Sequence, residues 1–105
     1  MKAYKLFRVR KDGTIGPLFI NRKQTIKLNT WLPAEDHPTK GFSWRPGWHC
    51  TSEPVAPHLK ESLSNGEERI WYEVEIEDYT ELNRPQTQGG LWYLANNMKV
   101  IGEVR

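Results

Sequence analysis

The sequence predicts an α+β fold: one domain spanning residues 1–105, with a twisted, mostly antiparallel sheet and one or two short helices. Three observations carry that expectation. Residues 68–78 alternate apolar and acidic side chains at the period of two that marks a half-buried strand. Shorter segments rich in aromatic and branched residues recur between Gly, Pro, Asn and Asp punctuation. Two further segments carry helix signals, one beginning near Pro57 and one between Leu91 and Met98.

Residues 3–10 form the first predicted strand, because aromatic and branched side chains run up to Lys11-Asp12-Gly13, whose Asp-Gly pair favours a tight turn. Tyr4 and Leu6 fall on one face and Phe7 and Val9 on the other, so both faces are expected to be covered. Gly16-Pro17 opens a short apolar segment, 18–20, and Asn21-Arg22-Lys23 supplies a second turn. Residues 25–31 alternate again, with Ile26, Leu28 and Thr30 on one face. These three segments read as a meander.

Pro33, Asp36 and Pro38 make residues 33–40 a loop, and His37 within it a solvated histidine. A helix is expected to start near Ala56 or Pro57, run to about Leu63 and stop at Asn65-Gly66. In the strand over 68–78, Ile70, Tyr72, Val74 and Ile76 face the core, while Trp71, Glu73, Glu75 and Glu77 face the other way. Residues 83–90, N-R-P-Q-T-Q-G-G, form a loop. Leu91, Leu94, Ala95 and Met98 have helical spacing, which predicts a short helical turn before a final strand over 99–104.

A chain of this length has room for a core without metal or disulfide support. Fifteen basic residues against thirteen acids leave a net charge of only +2 with no long run of one sign, which argues against strong non-specific binding of duplex DNA. Cys50 is the single cysteine, so no intrachain disulfide is possible. The amino-terminal residues carry charges within their apolar stretch, unlike a secretory signal, and no apolar run approaches the ~18 residues of a membrane helix. A cytoplasmic location without membrane contact is therefore expected. Five tryptophans, four tyrosines and three phenylalanines supply large core area, with an aromatic recognition surface as the alternative.

The specialised residues crowd into 41–59, G-F-S-W-R-P-G-W-H-C-T-S-E-P-V-A-P-H-L. His49, Cys50 and His58 are the zinc candidates by residue type, but adjacent His-Cys residues on a strand point to opposite faces and no paired ligand spacing is present. No metal is expected. A cysteine nucleophile needs a base within reach, which adjacency does not supply, so Cys50 reads as a small buried hydrophobe. Arg45, flanked by Trp44 and Trp48, could pair with a phosphate or carboxylate while an indole stacks on a base or sugar. The plainer reading packs Arg45 on tryptophan and bridges it to Glu73 or Glu75.

Two resemblances bear on function. Gly47-Trp48-His49-Cys50-Thr51-Ser52, followed by Pro54 and a short helix, resembles the strand-then-helix segment of ADP-ribosyltransferase-like folds. That likeness implies NAD as a cofactor held by Arg8, Thr51-Ser52 and the Glu73-Val74-Glu75 pair. The combination Y-K-L-F-R, P-L-F-I, W-L-P-A-E, R-P-G-W-H, P-V-A-P-H-L, W-Y-E-V-E and G-G-L-W-Y-L-A-N-N-M-K-V looks like a family of small uncharacterised proteins encoded by phages and mobile elements of gut bacteria. It implies a genomic setting and carries no catalytic residue.

The reading that results is a small accessory binding module that recognises a nucleotide-containing or protein partner through Arg45, Trp48, His49, His58, Glu73 and Glu75. It needs no cofactor. The alternative is an NAD-using enzyme of the transferase type, and a third possibility is a structural accessory protein whose aromatics fill its core.

Overall fold

The computed structural model describes residues 1–18, 23–34, 47–55, 67–88 and 90–104. Six strands account for its regular structure: β1 (Lys2–Val9), β2 (Ile15–Gly16), β3 (Trp31–Pro33), β4 (Trp48–Thr51), β5 (Glu68–Asn83) and β6 (Leu91–Glu103). Among the described residues the one helical element is a single 3-10 turn, Gln86–Gln88. The fold is thus a small β domain, which corrects the α+β expectation. The helix expected over 57–63 and the loop histidine His37 lie outside the described residues.

The strand pairings close on themselves. β1 pairs with β5 from Lys2↔Glu75 to Val9↔Glu68, and the opposite edge of β5 pairs with β6 from Tyr72↔Glu103 to Asn83↔Leu91. β6 then pairs with β4 from Trp48↔Ala95 to Thr51↔Trp92, and β4 returns to β1 at Tyr4↔Thr51. The result is a barrel-like ring, β1 to β5 to β6 to β4, with every contact antiparallel. Ring closure occupies edges that would otherwise be open to other strands. Where β4 does not reach, β2 lies on β1 through Arg8↔Gly16 and Val9↔Ile15, and β3 lies on β6 through Trp31↔Lys99 to Pro33↔Asn97.

Alternation fills the ring. Ala3 and Phe7 of β1, Trp48 and Cys50 of β4, Tyr72, Val74 and Ile76 of β5, and Tyr93, Ala95, Met98 and Val100 of β6 form the main cluster. Phe7 and Tyr72 meet edge to face at 5.7 Å. Leu6, Leu18, Trp71 and Trp92 make a second cluster on the outer side of the strands, so both faces of β1 are covered as its side-chain pattern predicts. Trp71, at the head of the acidic row, is part of that outer cluster.

β6 overturns the helical turn expected between Leu91 and Met98. Its inward residues are Tyr93 and Ala95, then Met98 and Val100, because the strand changes face between Ala95 and Met98. β5 does the same opposite, between Ile76 and Tyr79, where Asp78 takes a φ of 51° and accepts a hydrogen bond from Asn96 Nδ2 at 2.8 Å. The shift places Ala95 and Met98 three residues apart on one side, and three is also a helical interval. Residues 25–31 correct a second expectation. Ile26 is buried and Leu28 is 48% exposed, so the two do not share a core face, and each makes only an isolated bridge, Ile26 to Ile15 and Leu28 to Val100. Asn29, at φ 57°, breaks the strand there. The Asp-Gly turn forms as expected: Gly13 adopts a φ of 87°, and Asp12 Oδ1 accepts from Thr14 N at 3.0 Å.

Candidate functional site

The six residues singled out in the sequence do not form one described cleft. Arg45 and His58 lie outside the described residues. Trp48 belongs to the core, 9% exposed, and its indole Nε1 donates to the Leu32 carbonyl at 2.9 Å. Its hydrogen-bonding group thus ties β4 to β3 across the interior. Gly47 precedes it at φ 132°, a conformation that side chains rarely adopt, so the backbone at this strand entry favours glycine.

His49 points to the outer side of β4, half-buried, while Cys50 points into the core, fully buried. The alternation that disfavoured a shared metal site is therefore realised, and among the described residues no group of three His, Cys, Asp or Glu side chains is arranged to hold an ion. Burial pushes the Cys50 thiol up to about 11, against a smaller opposing effect of the Lys5 charge. A thiol so raised is a poor nucleophile at neutral pH. Burial of the Lys5 amine lowers its own pKa, and its Nζ donates to the His49 carbonyl at 2.8 Å.

Glu73 and Glu75 occupy the outer face of β5, each engaged by a cation. Lys2 Nζ lies 3.2 Å from Glu73, and the amino-terminal ammonium lies 3.4 Å from Glu75. The hydrogen bond to Glu73 is the largest cause of a raised Lys2 pKa. Thr51 is buried, with its hydroxyl donating to the Glu53 carbonyl at 2.5 Å and lying 3.3 Å from the Tyr4 carbonyl. Arg8 sits opposite Arg69, four residues along β1 from Tyr4. At the ordinary strand rise that is about 13 Å from the Thr51 and Glu73 row. Arg8, Thr51 and the two glutamates are thus spread over the sheet rather than gathered around a shared hollow.

An open cleft of about 320 Å³ does exist, lined by Pro54, Arg69, Ile70, Trp71 and Val104. Arg69 Nε donates to Glu67 Oε2 at 3.1 Å, and both side chains are nearly buried. Trp48, His49, Glu73 and Glu75, the predicted residues that are described, do not line it.

A different group stands out on the surface. Trp31 on β3 is 41% exposed, and Lys99, its partner on β6, holds Nζ 5.1 Å from the indole centroid. Leu28, also exposed, lies just before it in the chain, and Glu75 flanks Lys99 on the next strand. The row Trp31, Lys99, Glu75, Lys2 therefore runs across four strands, with charges of alternating sign beside one exposed aromatic. Sequence reasoning missed Trp31 because its segment reads as one more half-buried strand. The breaker Pro33 two residues later is the signal that an edge lies there.

Comparison of the chain with protein-family models, with curated proteins and with solved structures gave no match.

Proposed function

We propose that the chain is a small binding module whose partner is a protein, recognised at the Trp31, Lys99 and Leu28 patch and its charged surroundings. The observation that carries this reading is the exposed indole of Trp31, 41% accessible on the short strand β3, set beside charges of both signs. Protein interfaces centre on such aromatic anchors and surround them with a polar rim. A nucleic-acid backbone would meet Glu73, Glu75 and Glu77 on β5 immediately beyond Lys99, and that acidic row opposes a polyanion. Between the nucleotide-containing and protein partners expected from the sequence, the charge pattern favours the protein. Arg45 and His58 join the reading only as sequence candidates, and Trp48 supports the patch from the core.

The test is affinity capture with the wild type, Trp31→Ala and Glu81→Gln, with retained proteins quantified by mass spectrometry. A protein retained by the wild type and Glu81→Gln but lost with Trp31→Ala, and then bound as a purified pair, is the expected result. Titrations with oligo-dT and with NAD, the latter followed by a nicotinamide-release assay, are expected to give no signal. Oligo-dT binding abolished by Trp31→Ala would move the partner to nucleic acid. Nicotinamide release abolished by Glu75→Gln would replace the binding reading with the enzymatic one.

A further inference from the structure

We infer that the ring opens locally at the seam between β1 and β4, exposing Cys50 while the β1, β5 and β6 sheet stays folded. Among the described residues the seam is closed by one ladder pair, Tyr4↔Thr51, whereas β1 and β5 share eight pairs and β5 and β6 share eleven. In place of further backbone pairing, the Lys5 side chain spans the seam and donates to the His49 carbonyl at 2.8 Å. Parting β1 from β4 costs that clasp, one ladder pair, the contact of the Thr51 hydroxyl with the Tyr4 carbonyl at 3.3 Å and the burial of the side chains behind them.

The rest of the ring survives such a step. β4 keeps its four pairs with β6, and Ser52 N continues that contact to the Leu91 carbonyl at 3.3 Å. Opening converts the ring into a curved sheet in the order β1, β5, β6, β4, with Cys50 at the newly exposed edge. Regions held by few hydrogen bonds open at free energies below that of global unfolding. Cys50 is a built-in reporter, since it is fully buried and the chain has no other thiol to compete with it.

The experiment follows Cys50 labelling by a disulfide reagent, dithiobis(nitrobenzoate), in native buffer and across urea concentrations below the unfolding transition. Labelling is expected to rise with urea on a slope well below that of global unfolding measured by circular dichroism. Equal slopes, or labelling no faster than global unfolding permits, would overturn the inference. Val74→Ala lowers global stability from the far side of the ring and is expected to leave the labelling rate unchanged; a rise in proportion to the global loss contradicts local opening. Lys5→Met removes the clasp and is expected to speed labelling about tenfold, the effect of one hydrogen bond to a charged donor. An unchanged rate would overturn the role given to Lys5.

Discussion

The two halves of the ring are built differently. On one side, β5 and β6 run together for eleven pairs, with one register shift between Glu73 and Val74, and stay paired across a change of face at Asp78 and Asn96. On the other, among the described residues, β1 and β4 share a single ladder pair and are joined further by the side chains of Lys5 and Thr51. The difference teaches that closing a small ring does not require equal seams: one long hairpin carries much of the pairing, and closure can be left to a few side chains. It also separates tasks. The Trp31 and Lys99 patch, the proposed recognition surface, is mounted on β3 and β6, on the well-paired side. His49 and Cys50 sit at the weak seam.

The largest effects should come from the strong side. Ile76→Ala and Met98→Ala remove side chains that are fully buried where β5 and β6 face each other. Each is expected to cost about 2–5 kcal/mol in urea denaturation. Losses below ~1 kcal/mol at both positions would show that the hairpin is not the centre of stability.

Alkaline titration tests the weak side. The unfolded Cys50 thiol ionises near its ordinary 9.0, while the folded one holds its proton to about 11. The native state therefore binds more protons across that window, and stability is lost as pH rises from 9 to 11. The full loss amounts to about 3 kcal/mol. Lys5 acts in the opposite sense, since its lowered pKa lets the folded state release a proton first and raises stability with pH below 10.5. Taking the difference between the wild type and Cys50→Ala isolates the thiol. The wild type is expected to lose stability more steeply above pH 9, and parallel pH profiles would contradict a buried thiol.

Thr51→Val keeps the shape at the seam but deprives the Glu53 carbonyl of its hydroxyl partner. A loss of about 1–2 kcal/mol in thermal or urea unfolding is expected. Smallest of all are Glu75→Ala and Trp31→Ala, each within about 1 kcal/mol of the wild type, because both side chains are partly exposed and lie outside the core. If Trp31→Ala cost as much as Ile76→Ala, the indole would be a core residue and the proposed interface would lose its anchor.

What could be read in advance follows from the same physics. The register of β5 was legible because one of its faces is buried, and a period of two then leaves a single solution for Ile70, Tyr72, Val74 and Ile76. The turn at Asp12-Gly13 was legible because its chemistry is local. β6 was misread because a change of face between Ala95 and Met98 imitates helical spacing, and only pairing with β5 reveals it. The candidate site was less legible still. Trp48 beside Arg45-Pro46-Gly47 reads as an exposed platform, yet its indole is spent on the Leu32 carbonyl inside the ring. Trp31 and Leu28 look like core residues in sequence and lie outside. Burial is decided by long-range pairing, and residue type alone does not encode it.

Native-state hydrogen exchange tests the unequal-seam account most directly, residue by residue in the wild-type protein. Amides that bond β5 to β6, in the Glu75↔Lys99 and Glu77↔Asn97 pairs, are predicted to exchange only through global unfolding, with the full denaturant dependence. The amides of the Tyr4 and Thr51 pair that closes β1 on β4 are predicted to exchange faster, with a weak dependence on denaturant. A common exchange free energy and a common denaturant slope at both seams would contradict the account.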